Sequence, residues 1–120
     1  MKQILYNQLI TNIDIMTSLF TKIIQREIPS EIIYEQSDII VIKDIHPQAK
    51  THLLIIPKKE IKTINDLEEI DRNLIAEMFF VAKKVAKDLK IDEGYKLHFN
   101  VWEKGWQEIM HIHLHLLSNI

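Results

Sequence analysis

The sequence contains no cysteine, which excludes disulfides, thiolate nucleophiles and cysteine-ligated metal and fits a reducing, cytoplasmic setting. It has no strong excess of either charge: 15 Lys and Arg against 17 Asp and Glu leave a formal net charge of −2. Wrapping a polyanion by counterion release needs a broad basic field, so a nucleic-acid partner is not expected, whereas a small anion in a local pocket is compatible with this balance. No apolar run approaches the ~20 residues of a membrane span, and no membrane partner is expected. The first 16 residues break up their apolar positions with Asn7, Gln8, Thr11, Asn12 and Asp14, so they form no signal-peptide core. Internal repeats, low-complexity tracts and interdomain linkers are absent as well.

What is present suits one globular domain, with 47% hydrophobic residues in 120. Regular patterning starts just after Met16, so residues 1–16 are read as an N-terminal extension and 17–120 as the domain. A chain this short buries roughly 65% of its unfolded surface, which makes a dimer interface a natural source of further burial.

Leu19, Phe20, Ile23, Ile24 and Ile28 recur at helical spacings and predict a short helix closed by Pro29. The β-branched runs Ile32-Ile33-Tyr34 and Ile39-Ile40-Val41-Ile42, separated by Gln36-Ser37-Asp38, predict a hairpin. A loop from Asp44 to Lys50 leads to a third strand, Thr51 to Ile56, stopped by Pro57. Three- and four-residue steps from Leu67 through Ile70, Leu74, Met78, Val81 and Val85 to Leu89 predict a long helix with one buried face, opened by a capping box at Asp66 and Glu69. Tyr95 to Val101 and Ile109 to Leu117 supply two more strands. The order of elements indicates an α+β fold with a largely antiparallel five-stranded sheet, one long helix and one short helix.

The last strand carries the chemistry. In His111-Ile112-His113-Leu114-His115-Leu116-Leu117, strand alternation sends Ile112, Leu114 and Leu116 to one face and the three histidines to the other. Imidazole, with an unperturbed pKa near 6.5, serves as neutral nucleophile in one position and proton donor in the next. Mutual repulsion prevents all three from charging together, which leaves the mixture of states that nucleophilic displacement needs. Two other readings stand beside this one. Histidines on an edge strand can be inert, and two of them with His52 from the third strand can complete a three-nitrogen metal site.

The run His111 to Leu117 resembles, position by position, the signature of the histidine triad family. The likeness extends upstream to Leu19-Phe20, Lys22-Ile23-Ile24 and Glu27-Ile28-Pro29, to Asp44 through Lys59, and to Gly94-Tyr95 with Asn100. Together these segments resemble the purine nucleoside phosphoramidase branch. That resemblance implies hydrolysis of purine nucleoside 5′-phosphoramidates or related AMP and GMP conjugates, without metal or cofactor, by a homodimer whose sheet continues across the subunits. It further implies His113 as the nucleophile that carries the nucleotidyl intermediate, His115 as α-phosphate contact and proton donor, and His111 and His52 as residues that orient the array. Asp44 would hold the ribose, with Ile45 beside it. Leu19, Phe20, Ile23, Ile28, Ile42 and Leu54 would wall the base, and Asn100 and Gln107 would lie near the phosphate.

The chain departs from the family pattern between Asn100 and His111. A loop that is usually glycine-rich reads Val101-Trp102-Glu103-Lys104-Gly105-Trp106-Gln107-Glu108, and the sequence ends soon after the triad without the longer tail of some relatives. Glu108 stands where a small hydroxyl residue is usual and is a candidate leaving-group contact, or else a surface charge paired with Lys104. The crowded loop also motivates an alternative function: a nucleotide-sensing or protein-interaction module with weak catalysis.

Overall fold

The apolar β-branched runs form the centre of a five-stranded antiparallel sheet in the computed structural model of the chain, which describes residues 18–120. The extension expected over residues 1–16 lies outside the described residues. In chain order the elements are α1 (Leu19–Ile24), β1 (Ile32–Glu35), β2 (Ile39–Lys43), β3 (Thr51–Pro57), α2 (Arg72–Asp88), β4 (Lys96–His98) and β5 (Leu114–Ser118). Their spatial order is β1-β2-β3-β5-β4, every neighbouring pair antiparallel. The α+β architecture expected from the sequence is therefore present.

Both faces of the central strands are covered, which explains why β2 and β3 are apolar at successive positions instead of alternating. On one face Ile39, Val41, Leu53, Ile55, Ile112, Leu114 and Leu116 pack against Met78, Val81, Ala82, Val85 and Ala86 of α2. On the other, Ile40, Ile42, Leu54 and Ile56 pack under Phe20 and Ile23 of α1. Each fully buried aliphatic contributes about 1.5–3 kcal/mol through removal from water. No helix among the described residues is long and apolar enough to cross a membrane.

Three boundaries differ from expectation, each for a local reason. The short helix stops at Ile24, not at Pro29, because Arg26 adopts a left-handed φ of 65°. The long helix begins at Arg72 instead of Leu67, after two 3₁₀ turns at Ile64–Asp66 and Glu69–Asp71. Side chains bring this about: Asp66 accepts from the Thr63 N–H and Asp71 from the Glu68 N–H, two caps in place of the expected Asp66–Glu69 box. Ile70 consequently falls on a turn, 82% exposed, not on the buried helix face.

The third difference is that β5 starts at Leu114, five residues after the expected Ile109, and β4 is limited to Lys96–His98. The β3 ladder reaches Ile55 opposite Leu114 and then meets Pro57, which has no N–H with which to continue it. Ile112 N–H turns to the Ile61 carbonyl instead.

Met78→Ala is expected to cost about 2–5 kcal/mol in chemical denaturation because it empties the interface between α2 and the sheet. Ile70→Ala should stay within about 0.5 kcal/mol. Equal effects would contradict the assignment of Ile70 to a solvent-facing turn.

Candidate active site

Because β3 and β5 pair with Leu54 opposite His115 and His52 opposite Leu117, strand alternation brings His52, Leu54 and His115 to the α1 face of the sheet. His113 lies just before β5, with its ring edge-on to Phe20 of α1 at 5.0 Å and 4.8 Å from the His115 ring. These side chains line a cleft of about 830 Å³, within the size range of small-molecule sites.

Hydrogen bonds assign the imidazole tautomers. The Gln48 backbone N–H donates to His52 Nδ1 at 3.1 Å, so a neutral His52 carries its hydrogen on Nε2. That Nε2–H donates to His115 Nδ1 at 3.0 Å, with Asp44 Oδ2 also near, at 3.4 Å. His115 must then carry its own hydrogen on Nε2, an atom with no hydrogen-bond partner among the described residues. His113 has the opposite arrangement: its Nδ1–H donates to the His111 carbonyl at 2.7 Å. This leaves the lone pair of His113 Nε2 free. One ring thus offers a nucleophilic nitrogen and its neighbour a buried N–H donor, and both rings line the same cleft.

The electrostatics keep these rings neutral at pH 7. Burial lowers the pKa values of His52, His98, His111 and His113; at His113 the bond to the His111 carbonyl and the charges of Asp44 and Glu108 only partly oppose it. For His115, burial followed by the fields of His113, His98, His52 and Lys96 pushes the value down to about 3.

His111 does not join the other two members of the triad in the cleft. It is fully buried, its Nε2–H donates to the Pro57 carbonyl at 2.7 Å, and Ser18 Oγ–H donates to its Nδ1 at 2.5 Å. Ser18 also caps α1, so His111 ties that helix to the end of β3. Gln107 is likewise absent from the lining: its amide donates to the Lys62 and Ile109 carbonyls and accepts from the Trp102 N–H. It is a loop anchor.

The remaining residues singled out from the sequence do converge. Asp44, Ile45, Leu19, Phe20, Ile23, Ile28, Ile42, Leu54, Asn100 and Glu108 line the cleft, Ile45 as an exposed rim residue. Glu108 forms no ion pair with Lys104 among the described residues, and its charge acts on His113. Trp106 of the crowded loop lines the cleft as well, and so do Lys96 and His98, which the sequence reading does not single out. His98 stacks on His115 with ring centroids 4.6 Å apart and planes within 6°. An alternation of Lys96 and His98 along β4 was visible in the sequence, but the pairing of His98 with His115 was not. Asp44, His52 and His115 place one ligand atom each within 4.8 Å of one another, the cluster among the described residues that can hold a metal.

An antiparallel sheet carrying buried, neutral histidines beside an apolar cleft defines a compact α+β protein built around imidazole chemistry. Residues 17–120 match the family model described as the scavenger mRNA decapping enzyme C-terminal binding domain. The purine nucleoside phosphoramidase of Escherichia coli strain K12 is 45% identical over 102 residues, covering 84% of this chain and 86% of that protein. Among solved structures, a HIT family hydrolase from Legionella pneumophila superposes with a TM-score of 0.83 at 51% identity, covering 85% of this chain and 92% of its own. One from Clostridium thermocellum does so with a TM-score of 0.83 at 40% identity, covering 87% and 91%. The chain belongs to the histidine triad family of hydrolases.

The lowered imidazole values link stability to pH. A histidine whose folded pKa lies below its unfolded value of 6.5 binds its proton more readily in the unfolded chain, so stability is lost as pH falls below 6.5; for His115 the loss continues down to about 3. Paired carboxylates such as Glu35 and Asp71 have unfolded values of 4.5 and 3.8 and folded values lower still, so they contribute only below about pH 5. Urea midpoints should therefore fall between pH 7 and about pH 5, less steeply in His115→Gln. A flat wild-type midpoint across that interval would show that these rings are not held neutral by the fold.

Proposed function

We propose that this protein hydrolyses purine nucleoside 5′-phosphoramidates or related nucleotide conjugates through a nucleotidyl intermediate on His113. The observation that carries the reading is the complementary pair on one cleft: a free His113 Nε2 lone pair and an unpartnered His115 Nε2–H. The E. coli relative named a purine nucleoside phosphoramidase supports the substrate class.

In the first step His113 Nε2 attacks the α-phosphorus. An N–P bond forms and the P–N bond to the leaving amine breaks; neutral His115 donates a hydrogen bond from Nε2–H to the reacting group, and the departing nitrogen takes its proton from solvent. In the second, water attacks phosphorus and releases its proton to solvent, while the P–N bond to His113 breaks and returns the lone pair to His113 Nε2. The Gln48–His52–His115 chain holds His115 in the donor tautomer, and His111 fixes the carbonyl that orients His113. Asp44 Oδ1 accepts from the His46 N–H, which leaves Oδ2 for a ribose hydroxyl, and the apolar residues of α1, β2 and β3 receive the base. Glu108 stands by the leaving group, where a carboxylate favours cationic over anionic amines.

The unpaired edge of β4, with exposed Phe79 and Phe80 on α2, supports a homodimer whose sheet runs on into a second copy. The lack of cysteine supports a cytoplasmic setting. The Asp44–His52–His115 cluster motivates one rival, a metal-dependent hydrolase.

Wild-type protein should turn over a purine nucleoside phosphoramidate with or without chelator, and His113→Ala should lose at least about 10³-fold in kcat with nucleotide affinity nearly unchanged. Asp44→Ala should instead weaken binding, by about 1–3 kcal/mol in calorimetry. Near-normal turnover in His113→Ala would overturn the mechanism, and chelator-sensitive activity would favour the metal reading. Light scattering at micromolar concentration should report a dimer, with an interface on the order of 1,600 Å². A monomer at that concentration would remove the shared sheet.

A further inference from the structure

Both tryptophans of the chain stand in the loop between β4 and β5, and the backbone is unusual at each. Trp102 has φ 64° and ψ 175°, and Trp106 has φ 65° and ψ 26°. Glycine alone enters the first region without strain, and the second, left-handed region disfavours bulky L side chains. The loop's own glycine, Gly105, has no positive φ.

The shape is imposed by a rigid anchor. Gln107, 4% exposed, uses its side-chain amide to hold the Trp102 N–H, the Lys62 carbonyl and the Ile109 carbonyl together, and the Trp106 N–H donates to the Glu103 carbonyl. On this fixed and strained backbone the Trp106 indole is 81% exposed while lining the same cleft as His113 and His115. Positive φ also occurs at Arg26 and Lys90, away from the cleft; what sets Trp106 apart is that its strained backbone presents an exposed aromatic ring to the cleft that holds His113 and His115.

The topology says which part of a ligand would meet the indole. The apolar walls come from α1, β2 and β3, the histidines stand on β3 and at the start of β5, and the Trp106 loop follows β4 at the far edge of the sheet. With a base against the apolar walls and phosphorus at His113, the group beyond phosphorus points toward Trp106. Glu108, two residues further on and close enough for its charge to act on His113, disfavours an anionic group there.

We propose that Trp106 is a specificity-determining residue whose exposed indole forms a subsite for a planar aromatic ring, neutral or cationic, carried on the leaving group. This rests on the phosphoramidase-type reading above. A flat ring can stack on or meet the edge of the indole across its whole face, which an alkyl chain of equal charge cannot do.

The subsite and the reaction are tested separately. In Trp102→Phe, Trp106 is the sole tryptophan, and adding His113→Ala blocks turnover. A purine nucleoside 5′-phosphoramidate of benzylamine should change its fluorescence, while the plain nucleoside monophosphate, seen to bind by calorimetry, should leave it nearly unchanged. In kinetics the wild-type preference for the benzyl over a matched alkyl conjugate should be about tenfold in kcat/KM. That preference should vanish in Trp106→Gly and be largely kept in Trp106→Phe. Trp106→Gly should also raise the denaturation midpoint, since glycine relieves the left-handed strain, so loss of preference there is not unfolding. Equal fluorescence responses to the two ligands, or an unaltered preference in Trp106→Gly, would overturn the subsite. Selective fluorescence without any wild-type turnover would uphold the subsite and overturn the phosphoramidase reading.

Discussion

The donation of the Gln48 backbone N–H to His52 Nδ1 determines the proton arrangement of the cleft. A peptide nitrogen can only donate, so this bond forces the His52 hydrogen onto Nε2, and that in turn forces the His115 hydrogen onto Nε2. The backbone carbonyl of His111 acts in the reverse sense on His113: a carbonyl can only accept, so it draws the hydrogen to Nδ1 and leaves Nε2 bare. Two backbone groups of opposite hydrogen-bonding character therefore make two chemically identical side chains different. Because burial keeps both rings neutral, the difference persists at physiological pH.

The rest of the fold holds those backbone groups in place. Gln48 lies in the connection between β2 and β3, and Asp44 at the start of it accepts from the His46 N–H while donating its own N–H to the His52 carbonyl. The His111 carbonyl is held because its ring is locked between Pro57 and Ser18, so the first histidine of the run acts through its backbone and through the position of α1. Pro57 has two effects. It ends the β3 ladder for lack of an N–H, and its carbonyl receives the His111 ring where the ladder stops.

The loop from Val101 to Glu108 follows a different logic. Its tryptophans occupy backbone conformations that local propensity opposes, and the buried Gln107 amide holds them there. Conflict between a residue and its backbone is uncommon where only folding is at stake, since consistent local choices make a fold robust. At Trp106 the conflict lies on the lining of the cleft, and neither tryptophan belongs to the two packed cores.

Much of this was legible from the sequence. β-branched runs and helical spacing identified the five strands and two helices because burial on a sheet face or helix stripe is written directly into the order of apolar residues. The alternation of His113 and His115 with large aliphatics likewise announced a polar cleft face opposite a packed one. Other features depended on contacts between segments distant in the chain. Asp66 reads as a capping residue in the sequence, but nothing there shows that it and Asp71 would cap two separate turns and delay α2, that Pro57 would face the His111 ring, or that Gln107 would be consumed as an anchor. Nor does it show that β4 would set His98 flat against His115, since cross-strand register follows from how the whole sheet closes. Residue types and their periodicity determined the elements and the candidate chemistry. Tertiary structure alone decided which nitrogen of each imidazole holds a proton, because that depends on a donor or acceptor brought in from elsewhere in the fold.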